Sequence, residues 1–137
     1  MDRQVEVNEW IRYAENDIEA VNILIAHRPL KLEIICYLCQ QSAEKMMKAF
    51  LVYSDIRPPK KHELDELCGL CKDVDESFAD MFINCDRLNP YANQPRYPFG
   101  LEISDDMMSL AVKDCTTIGE FVKARIITDE MKGGDAD

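Results

Sequence analysis

Apolar residues return every three or four positions along most of this chain, the period of a helix with one buried face. Trp10, Ala14, Ile18, Val21, Leu24 and Ile25 form the first such stripe. Asn8 is its candidate N-cap, and His27-Arg28-Pro29 closes it, with His27 a solvated residue complementing the helix dipole. A second helix is predicted from about Lys31 to Tyr53, with Ile35, Cys39, Ala43, Met46, Phe50 and Tyr53 on its apolar side. Gln40, Gln41, Glu44, Lys45 and Lys48 then fall on its other faces. Ser54 to Lys61 reads as a loop, because the adjacent Pro58 and Pro59 cannot continue a helix.

A third helix begins near His62, carrying Leu64, Leu67, Cys68, Cys71 and Val74. A fourth covers about Glu76 to Leu88, with Phe78, Met81, Phe82 and Cys85, and the two can be read as one kinked helix. Asn89 to Gly100 is the longest stretch without helical period. A last helix opens near Ser104, with Asp105 and Asp106 in its first turn and Met107, Ala111, Cys115, Ile118 and Val122 on one face. Strand-like alternation is missing and no internal repeat is visible. The expected fold is all-α, an antiparallel up-down bundle of four to five helices. The expected organisation is an N-terminal arm over residues 1–7, a helical domain over 8–127 and a flexible acidic tail over 128–137.

Composition narrows the function classes. The 137 residues suit one domain, and an apolar fraction of 47% suffices for one core. With 16 Lys and Arg against 26 Asp and Glu, the net charge of −10 argues against broad, sequence-independent binding of nucleic acid. The charge is segregated, however. From Arg28 to Lys61 there are seven basic residues and three acidic ones, so this stretch is net positive in an acidic protein. Lys45 and Lys48 lie three apart on one helix face, a spacing at which side chains are neighbours and could share a phosphate.

No apolar leader opens the chain and no stretch approaches the roughly 18 apolar residues of a membrane span. A cytoplasmic location is therefore expected, without membrane association. There the six cysteines stay reduced. Cys36-Tyr-Leu-Cys39 and Cys68-Gly-Leu-Cys71 match zinc-ligand spacing, but 28 residues separate the pairs and both sit within helical patterns lacking knuckle turns. They are read as core thiols, and neither a metal nor a cofactor is expected.

Three segments carry a resemblance to a known family. Cys39-Gln-Gln-Ser-Ala-Glu-Lys-Met-Met-Lys-Ala-Phe-Leu51 resembles the second-helix pattern Q-x-A-E-K-x-x-K-A-L/F of the HEPN family. Pro59-Lys-Lys-His-Glu-Leu-Asp-Glu-Leu67 is similar to that family's P-x-T/K-H-x-L-x-x-L segment, and Arg96-Tyr-Pro98 to its R-Y-P element. In order and at fitting separations, they extend the resemblance over about residues 8 to 126.

The resemblance implies a bundle of about five helices that forms a homodimer, works beside a nucleotidyltransferase partner and binds a nucleotide or other polyanion. Lys45, Lys48, His62, Arg96 and Tyr97 are the corresponding candidate ligand-binding residues. Two alternatives stand beside it. The first is a metal-independent ribonuclease toxin of a toxin–antitoxin pair acting on RNA, because Arg57 and His62 satisfy the spacing R-x(4)-H. In it His62 would be the general acid/base and Arg57 would stabilise phosphorane charge. The second is a dimerisation or adaptor module without a ligand.

Overall fold

Asp2 starts the first helix. Its carboxylate accepts a hydrogen bond from the Gln4 amide at 2.7 Å, satisfying one of the unpaired donors that every helix start presents. A computed structural model describes residues 2–60, 63–93 and 102–135, the stretch from 127 onward by its backbone alone. Among these residues every regular element is helical. The first, α1 (Arg3–Ile25), takes in most of the expected N-terminal arm, and Val7 joins the core. Asn8 is an interior helix position, because Asp2 already supplies the cap.

The second helix, α2 (Leu32–Tyr53), is the centre of the molecule. Its predicted stripe is buried apart from Tyr53, which is partly buried, and so are Cys36, Met47, Ala49 and Leu51. Gln40 and Lys48, placed by period on outer faces, are buried too. The difference arises because α1, the last helix, the third helix and the segment after it all pack around α2. A helix packed on several sides in this way keeps little solvent face for polar residues, mainly at Glu33 and Ile34 in its first turn.

The third helix, α3 (Leu64–Val74), ends where Asp75 adopts an extended conformation. The Asp75 carboxylate then accepts from the Ser77 amide at 3.0 Å and opens a 3₁₀ turn, Glu76–Met81. Next come α4 (Phe82–Leu88) and a second 3₁₀ turn, Asn89–Ala92. The reading of one helix over 76–88, possible as a continuation of α3, is thus corrected: Asp75 breaks the chain, and the stretch is part 3₁₀ and part α. The start of the expected loop at 89 is also helical, with Pro90 at its opening, where a missing N–H does no harm. The last helix, α5 (Asp105–Asp135), starts where expected, with the Ser104 hydroxyl accepting from the Met107 amide at 3.1 Å. Its backbone continues beyond Thr128.

Side-chain pairings define the directions. Ser42 meets Ala14, while Lys48, further along α2, lies over Trp10, earlier in α1, so the two helices are antiparallel. Phe78 stacks near Phe50, while Tyr91 lies near Cys36 and Cys39, so the 76–92 segment runs back along α2. It also opposes α5, since Ser77 meets Arg125 and Arg87 meets Asp114. α1, α2, the 76–92 segment and α5 therefore alternate in direction, which is the expected up-down bundle. α3 is an addition to it: Leu64 pairs with Asn89 and Cys68 with Phe78, so it opposes the 76–92 segment and runs in the sense of α2.

Two contacts join the far half to the core. Phe78 is fully buried, 4.5 Å from the Phe50 ring centroid and 4.9 Å from Phe121, the latter edge-on. The buried Asp114 carboxylate accepts two bonds from Arg87, at 2.7 and 2.9 Å, and one from Asn84 at 2.9 Å. That fork holds α4 on α5 with geometric precision a lone lysine would not supply. Phe78→Ala is expected to lose about 3–5 kcal/mol of stability, because it leaves a cavity where three elements meet. Urea unfolding followed by far-ultraviolet circular dichroism checks this, and a loss below about 1 kcal/mol would contradict the packing described.

Candidate functional site

The family-like stretch of α2 is placed against α1, and its polar residues are already occupied there. The Ser42 hydroxyl donates to the Ala14 carbonyl at 2.9 Å, and Ala43 is fully buried beside it. Lys45 Nζ lies 2.7 Å from Asp17 Oδ2, both side chains being mostly buried. Lys48 Nζ is 3.5 Å from Glu44 Oε2 and sits 5.5 Å from the centroid of the Trp10 ring. Gln41 donates to the buried Gln40 side chain at 2.7 Å. Lys45 and Lys48 are therefore neighbours, as their spacing predicted, but each faces a carboxylate. The Glu44–Lys48 spacing of four was visible in the sequence. Asp17 and Trp10 as partners were not, since only the α1–α2 register brings them there.

The exit of α2 is built with similar economy. The Ile56 amide bonds to the Leu51 carbonyl at 2.8 Å, and the Asp55 amide to Val52 at 2.9 Å. Together with φ of 63° at Asp55, these bonds make a Schellman cap, with Ile56 packed onto the core near Leu51. The cap turns the chain so that Arg57 and Lys60 project into solvent. Among the described residues neither has an ion-pair partner. Arg57 lies between α2 and α3, outside any helix.

Other cations of the positive stretch are elsewhere. The Arg28 guanidinium donates to the Ile25 carbonyl at 2.8 Å, closing the end of α1. Arg28 and Lys31 precede α2 while Arg57 and Lys60 follow it, so roughly 30 Å of helix separates the two groups. His62, Arg96 and Tyr97 lie outside the described residues.

The cysteines divide into two groups. Cys36 and Cys39 lie near Cys115 of α5, and Cys68 and Cys71 near Cys85 of α4. All six are buried and unbridged. Their thiols reach backbone carbonyls, Cys71 to Met47 at 3.6 Å, Cys68 to Phe78 at 3.4 Å and Cys115 to Val112 at 3.3 Å. Burial, with a contribution from Glu33, pushes the Cys36 thiol up to about 12. Hydrogen bonding to Cys115, then burial, raises Cys39; hydrogen bonding to Cys68, then burial, raises Cys85. Such thiols are poor nucleophiles. Among the described residues no group of three His, Cys, Asp or Glu side chains could hold a metal ion, and no helix is long and apolar enough to cross a membrane.

A family model described as HEPN domain matches residues 7–125. The chain is also similar to the crystal structure of an archaeal HEPN homologue, with a TM-score of 0.68 and 24% sequence identity over 88% of this chain and 97% of that chain. At that identity the likeness concerns the fold. No curated protein matches the chain.

Two outcomes are expected. Asp55→Gly should raise stability by about 1 kcal/mol, since glycine adopts the left-handed conformation without the Cβ clash; chemical denaturation reads this directly. The raised thiols make stability fall in alkali: unfolded cysteines ionise near about 8.5, whereas Cys36 holds its proton to about 12. The stabilisation is complete below the lower value and is lost as pH climbs through that window. Melting temperatures across this range test it, alongside a thiol reagent that should find no fast-reacting cysteine until the chain unfolds.

Proposed function

The chain belongs to the HEPN domain family, and from that premise we propose that it is a non-catalytic HEPN subunit, a cytoplasmic homodimer that binds a nucleotide or other polyanion and acts with a nucleotidyltransferase partner. One observation carries the reading: Arg57 and Lys60 are exposed on the segment leaving α2 and have no ion-pair partner among the described residues, in a chain of net charge −10. Lys61 and His62 follow directly in sequence, so four nitrogen-bearing side chains fall within a short span. An Arg fork and neighbouring ammonium groups suit the oxygens of a phosphate chain. Lys45 and Lys48 belong to the framework of this site, because Asp17 and Glu44 already balance them. Arg96 and Tyr97 remain candidates for the same ligand, one as a cation and the other as a stacking or hydrogen-bonding ring.

The ribonuclease reading draws on the same segment, and the observation in its favour is that Arg57 has no ion-pair partner among the described residues. It uses Arg57 to stabilise charge on the phosphorus oxygens and His62 to move the proton. Isothermal titration of the purified chain with a nucleoside triphosphate and with a short RNA separates the possibilities. Arg57→Ala combined with Lys60→Ala should weaken binding by at least about tenfold, since charge-assisted hydrogen bonds contribute about 1.5–3 kcal/mol each. Lys45→Met should change affinity by less than about twofold while lowering stability, because it leaves the mostly buried Asp17 carboxylate without its cation. RNA cleavage abolished by His62→Ala would replace the non-catalytic reading with the nuclease. Absence of heat with every nucleotide and RNA would leave the adaptor.

A further inference from the structure

A groove of about 250 Å³ runs between α1 and α5, with α2 as its floor. It lies apart from Arg57 and Lys60, and its charge has the opposite sign. Met46 and Ile18 provide the apolar base, and Gly119 opens one wall. A Cβ on Gly119 would approach Met46 Cε to 3.7 Å, so bare backbone there leaves the notch open. The Ser42 hydroxyl at the base is committed to the Ala14 carbonyl, so it adds no free donor.

The rim is acidic. Glu15 and Glu19 stand one helical turn apart on α1, and Glu120 stands on α5. None of the three takes part in an ion pair among the described residues, whereas Asp17, Glu44, Asp75 and Asp114 all do. Lys123 is the one cation among the lining residues. The volume falls below the roughly 300–1,000 Å³ of pockets for drug-sized ligands, and suits an aliphatic anchor with the remaining contacts made at the rim.

We propose that this groove docks a basic amphipathic helix of a partner protein, which seats an aliphatic side chain over Met46 and pairs Lys or Arg with Glu15, Glu19 and Glu120. Charge complementarity selects the sign of the partner. A second copy of this acidic chain would bring like charge to the rim, which is unfavourable. The spacing of Glu15 and Glu19 selects the form, because residues four apart on a facing helix present their cations at the same one-turn interval. Helix-in-groove recognition uses such i, i+3 and i+4 anchors.

The test uses the full chain and a fluorescein-labelled synthetic helix with leucines on one face flanked by lysines, read by fluorescence anisotropy. A scrambled peptide of the same composition is expected to bind at least about tenfold more weakly, because it cannot present anchor and cations together. Glu15→Gln, Glu19→Gln and Glu120→Gln combined, and separately Thr116→Trp to fill the groove, should each weaken the helix by at least about tenfold. Neutralising the same number of exposed acids elsewhere, Asp73→Asn, Glu76→Gln and Asp80→Asn, should change affinity by less than about threefold. Circular dichroism melts confirm that each variant is folded.

Equal binding of the scrambled peptide, or equal loss from both sets of neutralised acids, would overturn the proposal in favour of diffuse charge attraction. Displacement of the labelled helix by spermine at an equal concentration of positive charge would overturn it in favour of a small polycation. A change in molar mass on introducing Thr116→Trp, with no peptide binding to the parent chain, would assign the groove to a second copy.

Discussion

The burial of α2 sets the terms for everything around it. Thirteen of its residues are buried, and they include Gln40, Ser42 and Lys48, whose polar atoms cannot be left without partners. Each is satisfied by α1 or by α2 itself: Ser42 by a backbone carbonyl, Lys48 by Glu44 and the Trp10 face, Gln40 by Gln41. These requirements specify the α1–α2 register more sharply than apolar packing alone, because sliding one helix would strand the Ser42 hydroxyl and part Lys45 from Asp17. Removing a single partner from such a set is more damaging than the net worth of the bond suggests.

This solvation demand also redistributes the charge available for function. A sequence with seven cations between Arg28 and Lys61 suggests a broad positive face. Folding assigns Lys45 and Lys48 to carboxylates and Arg28 to the end of α1, leaving Lys31 exposed ahead of α2 and Arg57 and Lys60 in water beyond the Schellman cap. The positive region that remains is small and local, which suits recognition of a few phosphate groups better than tracking along a nucleic-acid backbone. The acidic groove between α1 and α5 offers the complementary character on a separate surface. On the reading proposed above, separate cationic and anionic surfaces let the chain engage a ligand and a protein partner without competition between them.

The six cysteines illustrate how motif spacing and environment diverge. Two Cys-x-x-C pairs read as possible metal ligands when only spacing is considered. In the fold each pair faces its own neighbourhood, Cys115 on one side and Cys85 on the other, and the surroundings raise the Cys36, Cys39, Cys71 and Cys85 thiols. Small, polarizable side chains let α5 and α4 come close to the central helices while their S–H groups reach spare carbonyls. The cysteines are thus part of the packing around α2, as the helical period around them indicated.

The amino-acid sequence by itself determined the helical class, the places where prolines stop helices, the Ser104 cap and the apolar positions that became the core. These follow from local backbone chemistry and a 3.6-residue period, which act within a few residues. The R-x(4)-H spacing and the family-like segments were legible too, as patterns of residue type. Only the tertiary structure decided that α2 is enclosed, that Lys45 pairs with Asp17, that Asp114 holds Arg87 and that a groove opens at Gly119. The reason is common to all four: each depends on which helix faces which, and at what register. That choice is made by the summed burial and polar satisfaction of residues tens of positions apart, which no local pattern encodes.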